Sequence, residues 1–81
     1  MEDAKMQEYK SRVLNILKVF RNTYGLRADL VNVNSQTIGT EAYIIMKSIL
    51  NEQNIAIEID DRMTVGKFMF VNRELAVSNI L

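Results

Sequence analysis

The chain has 81 residues, 48% of them hydrophobic and 25% charged, and its ten basic residues are balanced by ten acidic ones. It contains no cysteine and no histidine, which removes disulfides, thiolate chemistry, the usual general base and the usual ligands for zinc, copper and haem iron. A chain this short makes one small domain, 1–81, and no apolar run in it approaches the ~20 residues that span a bilayer.

The opening MEDAKMQEYK is acidic and polar, unlike the basic and then apolar start of a secretory signal, and it points to a reducing, cytoplasmic location without a membrane. The even charge balance hides an asymmetry. Residues 1–27 hold Lys5, Lys10, Arg12, Lys18, Arg21 and Arg27 against Glu2, Asp3 and Glu8, and the acidic excess falls in residues 28–81. Nucleic-acid sites draw most of their affinity from phosphate neutralisation, so the neutral total counts against strong binding of that kind.

The first element is a helix over 4–24. Asp3 is placed as its N-cap, and Met6, Tyr9, Val13, Ile16, Leu17, Phe20 and Tyr24 fall on one stripe about 100° wide. The 3–4–3–4 spacing packs this stripe on the domain's own core or, read as a heptad seam, against a second copy. Gly25 is the natural left-handed end of the helix, with Leu26 placed for the apolar contact of a Schellman motif.

Residues 27–33, RADLVNV, admit two conformations. Leu30, Val31 and Val33 favour a strand. Leu26, Leu30 and Val33 also suit the buried side of a two-turn helix, with Asn32 and Asn34 in a tight turn. A long helix follows over 36–54, capped by Ser35 or Thr37 and ended near Asn54. Ile38, Ala42, Ile45 and Ile49 form one face of it, and Gln36, Thr40, Tyr43 and Lys47 the opposite face. Ile44, Met46 and Leu50 lie outside the main apolar arc, which implies cover from two sides.

Ile55, Ile57 and Ile59 alternate as one buried side of a strand. Asp60-Asp61-Arg62 breaks it, and the segment from Gly66 to Val71 reads as a returning strand, so that residues 55–72 form a β-hairpin. A helix capped by Thr64 is the competing reading of the second half. The tail 73–81 ends apolar, as a last short element or as a segment that meets a partner chain.

No catalytic constellation is present. Gly25, Gly39 and Gly66 are too far apart for a phosphate loop, and a nucleophilic triad lacks its base. Glu58, Asp60 and Asp61 form the only acidic cluster, a solvated turn or a hard-cation site, but the spacing is not that of an EF-hand. We therefore expect a non-enzymatic protein with no cofactor and no metal.

The order helix, short element, turn, long helix, hairpin resembles the winged helix-turn-helix superfamily over roughly 9–71. The resemblance places Ala28 as the small residue of the first helix, Val33 as an anchor after a turn at Asn32, and Thr37-Ile38 at the start of the recognition helix. Two positions depart from the pattern. Glu41 stands where an apolar residue is usual, and the recognition helix carries one base, Lys47. The resemblance implies an α+β, winged helix-like fold and a small regulator that binds double-stranded DNA, acting as a homodimer through the N-terminal helix or the C-terminal tail. Its contacts would come from Gln36, Thr37, Thr40, Tyr43 and Lys47 in the major groove, with Arg27, Arg62 and Lys67 at the backbone.

Three alternatives stand beside it. One is a protein–protein interaction or oligomerisation module without nucleic-acid binding. A second is a degenerate acyl-carrier-like domain, because IEIDDRMTVGKF is similar to the approach to that family's last helix. Thr40-Glu41 stands where its attachment serine belongs, and Ser35 is too far upstream. The third is a small α+β module with residues 28–34 as an additional strand, an arrangement that removes the reason for reading DNA with the following helix.

Overall fold

The computed structural model describes residues 2–80, with side chains considered from 4 to 78. Two α-helices and four short strands follow one another as α1 (Glu2–Tyr24), β1 (Leu30–Val33), a 3-10 turn (Ser35–Thr37), α2 (Glu41–Glu52), β2 (Ala56–Ile59), β3 (Met69–Asn72) and β4 (Val77–Ile80). The fold is α+β, with one mixed sheet in the order β2-β1-β3-β4.

In α1 the whole apolar stripe is taken up by the core. Val13 and Phe20 are fully buried, and Met6, Tyr9, Ile16, Leu17 and Tyr24 pack against the same cluster. The Phe20 and Tyr24 rings meet edge to face at 4.8 Å. Asp3, expected as the cap, lies inside the first turn, and its side chain is outside the described residues. At the other end Gly25 has φ +80, and its N–H donates to the Arg21 carbonyl at 2.8 Å. This is the single bond of the αL ending, and Leu26 stays 39% exposed instead of making a Schellman contact.

The Schellman ending occurs on α2. Asn54 has φ 58, its N–H donates to the Asn51 carbonyl, and the Ile55 N–H donates to the Leu50 carbonyl at 2.9 Å. The start of this helix differs from the expected one. Ser35–Thr37 is a separate 3-10 turn capped by Asn34, and α2 begins only at Glu41, behind Thr40, whose side chain accepts from the Tyr43 N–H. Thr37 cannot cap because its hydroxyl is turned inward. Within α2 the buried face keeps Ala42, Ile45 and Ile49 against the core and adds Met46 and Leu50. Met46, Ile49 and Leu50 are buried, while Ile38 and Ile44 are 37% and 65% exposed.

Residues 30–33 are a strand, the extended one of the two conformations their sequence allows. β1 pairs parallel with β2 (Leu30 opposite Ala56) and antiparallel with β3 (Val31 opposite Phe70). The expected 55–72 hairpin is therefore not formed. Both of its strands exist, but β1 lies between them. No helix follows Thr64, where a turn closes from the Lys67 N–H to the Thr64 carbonyl. The hairpin in the chain is β3–β4, so the tail extends the sheet. Leu81 lies outside the described residues.

Val31, Val33 and Phe70 face both helices within one core cluster. Leu30 is 5% exposed yet sits outside that cluster, on the opposite face of the sheet. β2 forms one edge, and its last residue, Ile59, is 53% exposed where an inward residue was expected. Among the described residues no helix is long and apolar enough to cross a membrane.

The β3–β4 turn, Arg73–Ala76, contains none of the usual turn residues, and Ala76 carries φ 55. A Cβ in the left-handed region is strained by roughly 1 kcal/mol or more. Ala76→Gly should raise stability by about 0.5–1 kcal/mol, a few degrees in melting temperature by calorimetry.

Candidate functional site

The parallel pair β1 and β2, joined through α2, directs its strand ends to one end of the sheet, the place where open parallel sheets form ligand crevices. The loops 34–40 and 60–67 meet there and are pinned by side chains. Asn34 donates through Nδ2 to the Met63 carbonyl at 2.9 Å, and the Ser35 N–H donates to Asp61 Oδ1 at 2.8 Å. Thr37 is fully buried, and its hydroxyl accepts from the Gly66 N–H at 2.9 Å. Gly66 itself has φ +88, a conformation that strains any residue with a Cβ.

These pins leave a cleft of about 220 Å³ beside them, lined by Tyr9 and Arg12 of α1, Ala42 and Met46 of α2, and Gly66, Lys67 and Phe68 of the loop before β3. Met46 and Phe68 make a closed apolar floor, at 0% and 4% exposure. Arg12 and Lys67 are exposed at its mouth.

The eight residues expected to contact DNA are scattered over this fold. Thr37 is buried, and Thr40 is engaged as the cap of α2, donating to the Thr37 carbonyl at 2.7 Å. Arg27 donates to the Gln53 carbonyl at the far end of α2, about 18 Å along a helix of this length. Arg62 grips Asp60 with two bonds of 2.9 Å. Gln36 is exposed on the 3-10 turn, and only Tyr43 and Lys47 lie on α2, half-buried and exposed respectively. Lys67 alone lines the cleft. Tyr9 belonged to the apolar stripe of the sequence reading, and Arg12, one turn further along α1, had no signal beyond that spacing.

The acidic cluster is a turn. Asp60 holds Arg62, and Asp61 holds the Ser35 amide; no group of residues able to hold a metal occurs among the described residues. Comparison of the chain with protein families, with curated proteins and with solved structures finds no match.

Two measurements check the pins. Thr37→Val keeps the shape but removes the acceptor for the Gly66 N–H, so it should cost about 1–3 kcal/mol in urea unfolding, whereas Thr37→Ser retains most of the stability. The Asp61 carboxyl is held below its ordinary value of 3.8, chiefly by its bond from Ser35. A lowered native value means that the unfolded chain binds the proton more readily. The stabilisation is therefore complete above the ordinary carboxylate range and fades as pH falls through it, and Asp61→Asn should flatten that acid limb in a pH series of melting temperatures.

Proposed function

We propose that the chain is a non-enzymatic protein–protein interaction module that works through the sheet face turned away from both helices, with a second copy of the chain as occupant. The observation that carries this reading is the largely apolar sheet face turned away from both helices, where Ala56 is exposed and Met69 and Val71 are half-buried. Asn32 lies on this face, on the central strand, and its side-chain oxygen is closed off from water without a hydrogen-bond partner. A buried polar group left unpaired costs about 1–3 kcal/mol, and a valine in this strand would avoid that cost. The apolar surface around Asn32, and not its shielded oxygen, is what a second copy would cover.

The register places Leu30, Ala56, Val71 and Ser78 around it on one row and Glu58 and Met69 beside it on the next. This surface is largely apolar and carries one charge. A twofold axis near Asn32 would bring this same face of two copies together. The face is small. Four strands ~4.8 Å apart and four residues long cover roughly 260 Å², which supports a transient association and not an obligate one.

Two dimer surfaces read from the sequence are occupied otherwise. The α1 stripe packs on the core, and the tail pairs with β3. The DNA reading draws no support from the placement of its eight residues.

Sedimentation equilibrium should find a monomer–dimer equilibrium, weakened by Ala56→Glu, which adds a like charge across the axis at an exposed position. A chain that stays monomeric up to about 1 mM would sink this reading. Binding to duplex DNA that falls steeply between two salt concentrations would favour the nucleic-acid reading in its place.

A further inference from the structure

The cleft between α1, α2 and the loop before β3 lies in the helical layer, away from the proposed contact face, and its chemistry is of a different kind. Four cations of the chain, Lys5, Lys10, Arg62 and Arg73, each meet a carboxylate. Arg12 and Lys67 do not pair with a carboxylate among the described residues, yet the fold brings these two, more than fifty positions apart in the chain, to the mouth of one cleft. Among the described residues no acidic one lines that cleft. Two like charges sharing a small space repel each other, and an anion between them turns both interactions favourable.

The floor sets a second requirement. Half-buried Tyr9 and Ala42 offer apolar surface below the charged mouth, over the closed layer of Met46 and Phe68. Inorganic phosphate, with oxygen on every side, leaves that surface uncovered. A carboxylate on an apolar stem satisfies both regions, because the guanidinium offers a planar fork to its two oxygens and the ammonium a point charge, while the stem covers the apolar parts of Tyr9 and Ala42. The cleft, of about 220 Å³, has room for a short acid. The first turn of α2 borders the cleft through Ala42, and its aligned peptide dipoles favour an anion there as well.

We propose that this cleft binds a small carboxylate carried on a short apolar stem, with Arg12 and Lys67 holding the carboxylate and Tyr9 and Ala42 receiving the stem. The same chemistry is presented by a free short-chain acid and by the carboxyl terminus of a peptide that ends in an aliphatic residue.

The test is a titration of the full chain followed by ¹H–¹⁵N correlation spectra, with sodium hexanoate, acetate, inorganic phosphate and sodium chloride at matched ionic strength. The amides of Ala42, Gly66 and Lys67 should shift saturably with hexanoate, which should bind about tenfold or more tighter than acetate because of its longer stem. Arg12→Gln and Lys67→Gln change exposed residues and should keep the native spectrum. Each should weaken hexanoate about tenfold, and Arg12→Lys should weaken it less. An acetylated tripeptide ending in leucine, with its carboxyl free or amidated, separates the two sources. Tighter binding of the free peptide than of hexanoate assigns the site to chain termini, and the reverse assigns it to free acids. The proposal is overturned by shifts no larger than those in sodium chloride, by phosphate binding tighter than hexanoate, or by hexanoate binding unchanged in both glutamine variants.

Discussion

β1 sets the terms for the rest of the molecule. It is four residues long and central in the sheet, so every N–H and C=O it carries must find a partner on one side or the other. β2 supplies one edge and β3 the other, and neither adjoins it in sequence. A parallel neighbour needs a crossover, and α2 is that crossover. The crossover then serves a second purpose, because its buried face of Met46, Ile49 and Leu50 caps the same side of the sheet that receives Val13 and Phe20 from α1. The two-layer fold follows from satisfying one short strand on both edges and one face.

Polar side chains do much of the work that turn residues do in other small folds. Asn72 is 5% exposed; its Nδ2 donates to the Arg27 carbonyl at 2.8 Å while its Oδ1 accepts from the Leu75 N–H at 2.9 Å. It thus shapes the β3–β4 turn and anchors the entry to β1 at once. Asp29 works from the opposite side, accepting the Arg73 N–H at 3.2 Å. Asn34 and Thr37 perform the same service at the other end of the sheet. In each case the bond joins segments far apart in the chain, so each residue fixes tertiary position and local conformation together.

This division explains what the sequence disclosed. The stripe on α1 was legible because seven apolar residues repeat at helical spacing and a glycine ends them, and both signals are local. The strand over 55–59 was legible for the same reason, as was the one expected over 66–71, which begins only at Met69. Their pairing was not, since alternation says which residues share a face and nothing about which strand lies alongside. The insertion of β1 between them depends on contacts across dozens of residues. The start of α2 was misplaced because Thr37, a good cap by type, is drawn into the interior by the Gly66 amide. The turn at 73–76 was invisible because Arg-Glu-Leu-Ala has no turn chemistry of its own. The cleft had no sequence signature at all, being assembled from α1, α2 and the loop before β3, and only Lys67 among its residues carried a functional expectation.

The position of β1 also orders events in time. Its partners, Ala56 across one edge and Phe70 across the other, are synthesised long after it. Helices form from local contacts and quickly, whereas a strand paired only with distant segments waits for loop closure. Both helices can therefore exist while Leu30, Val31 and Val33 are still without a sheet. The chain then holds an apolar strand with two unsatisfied edges until residues near 72 arrive, which makes the interval before β3 docks the period of greatest exposure to misassociation during folding.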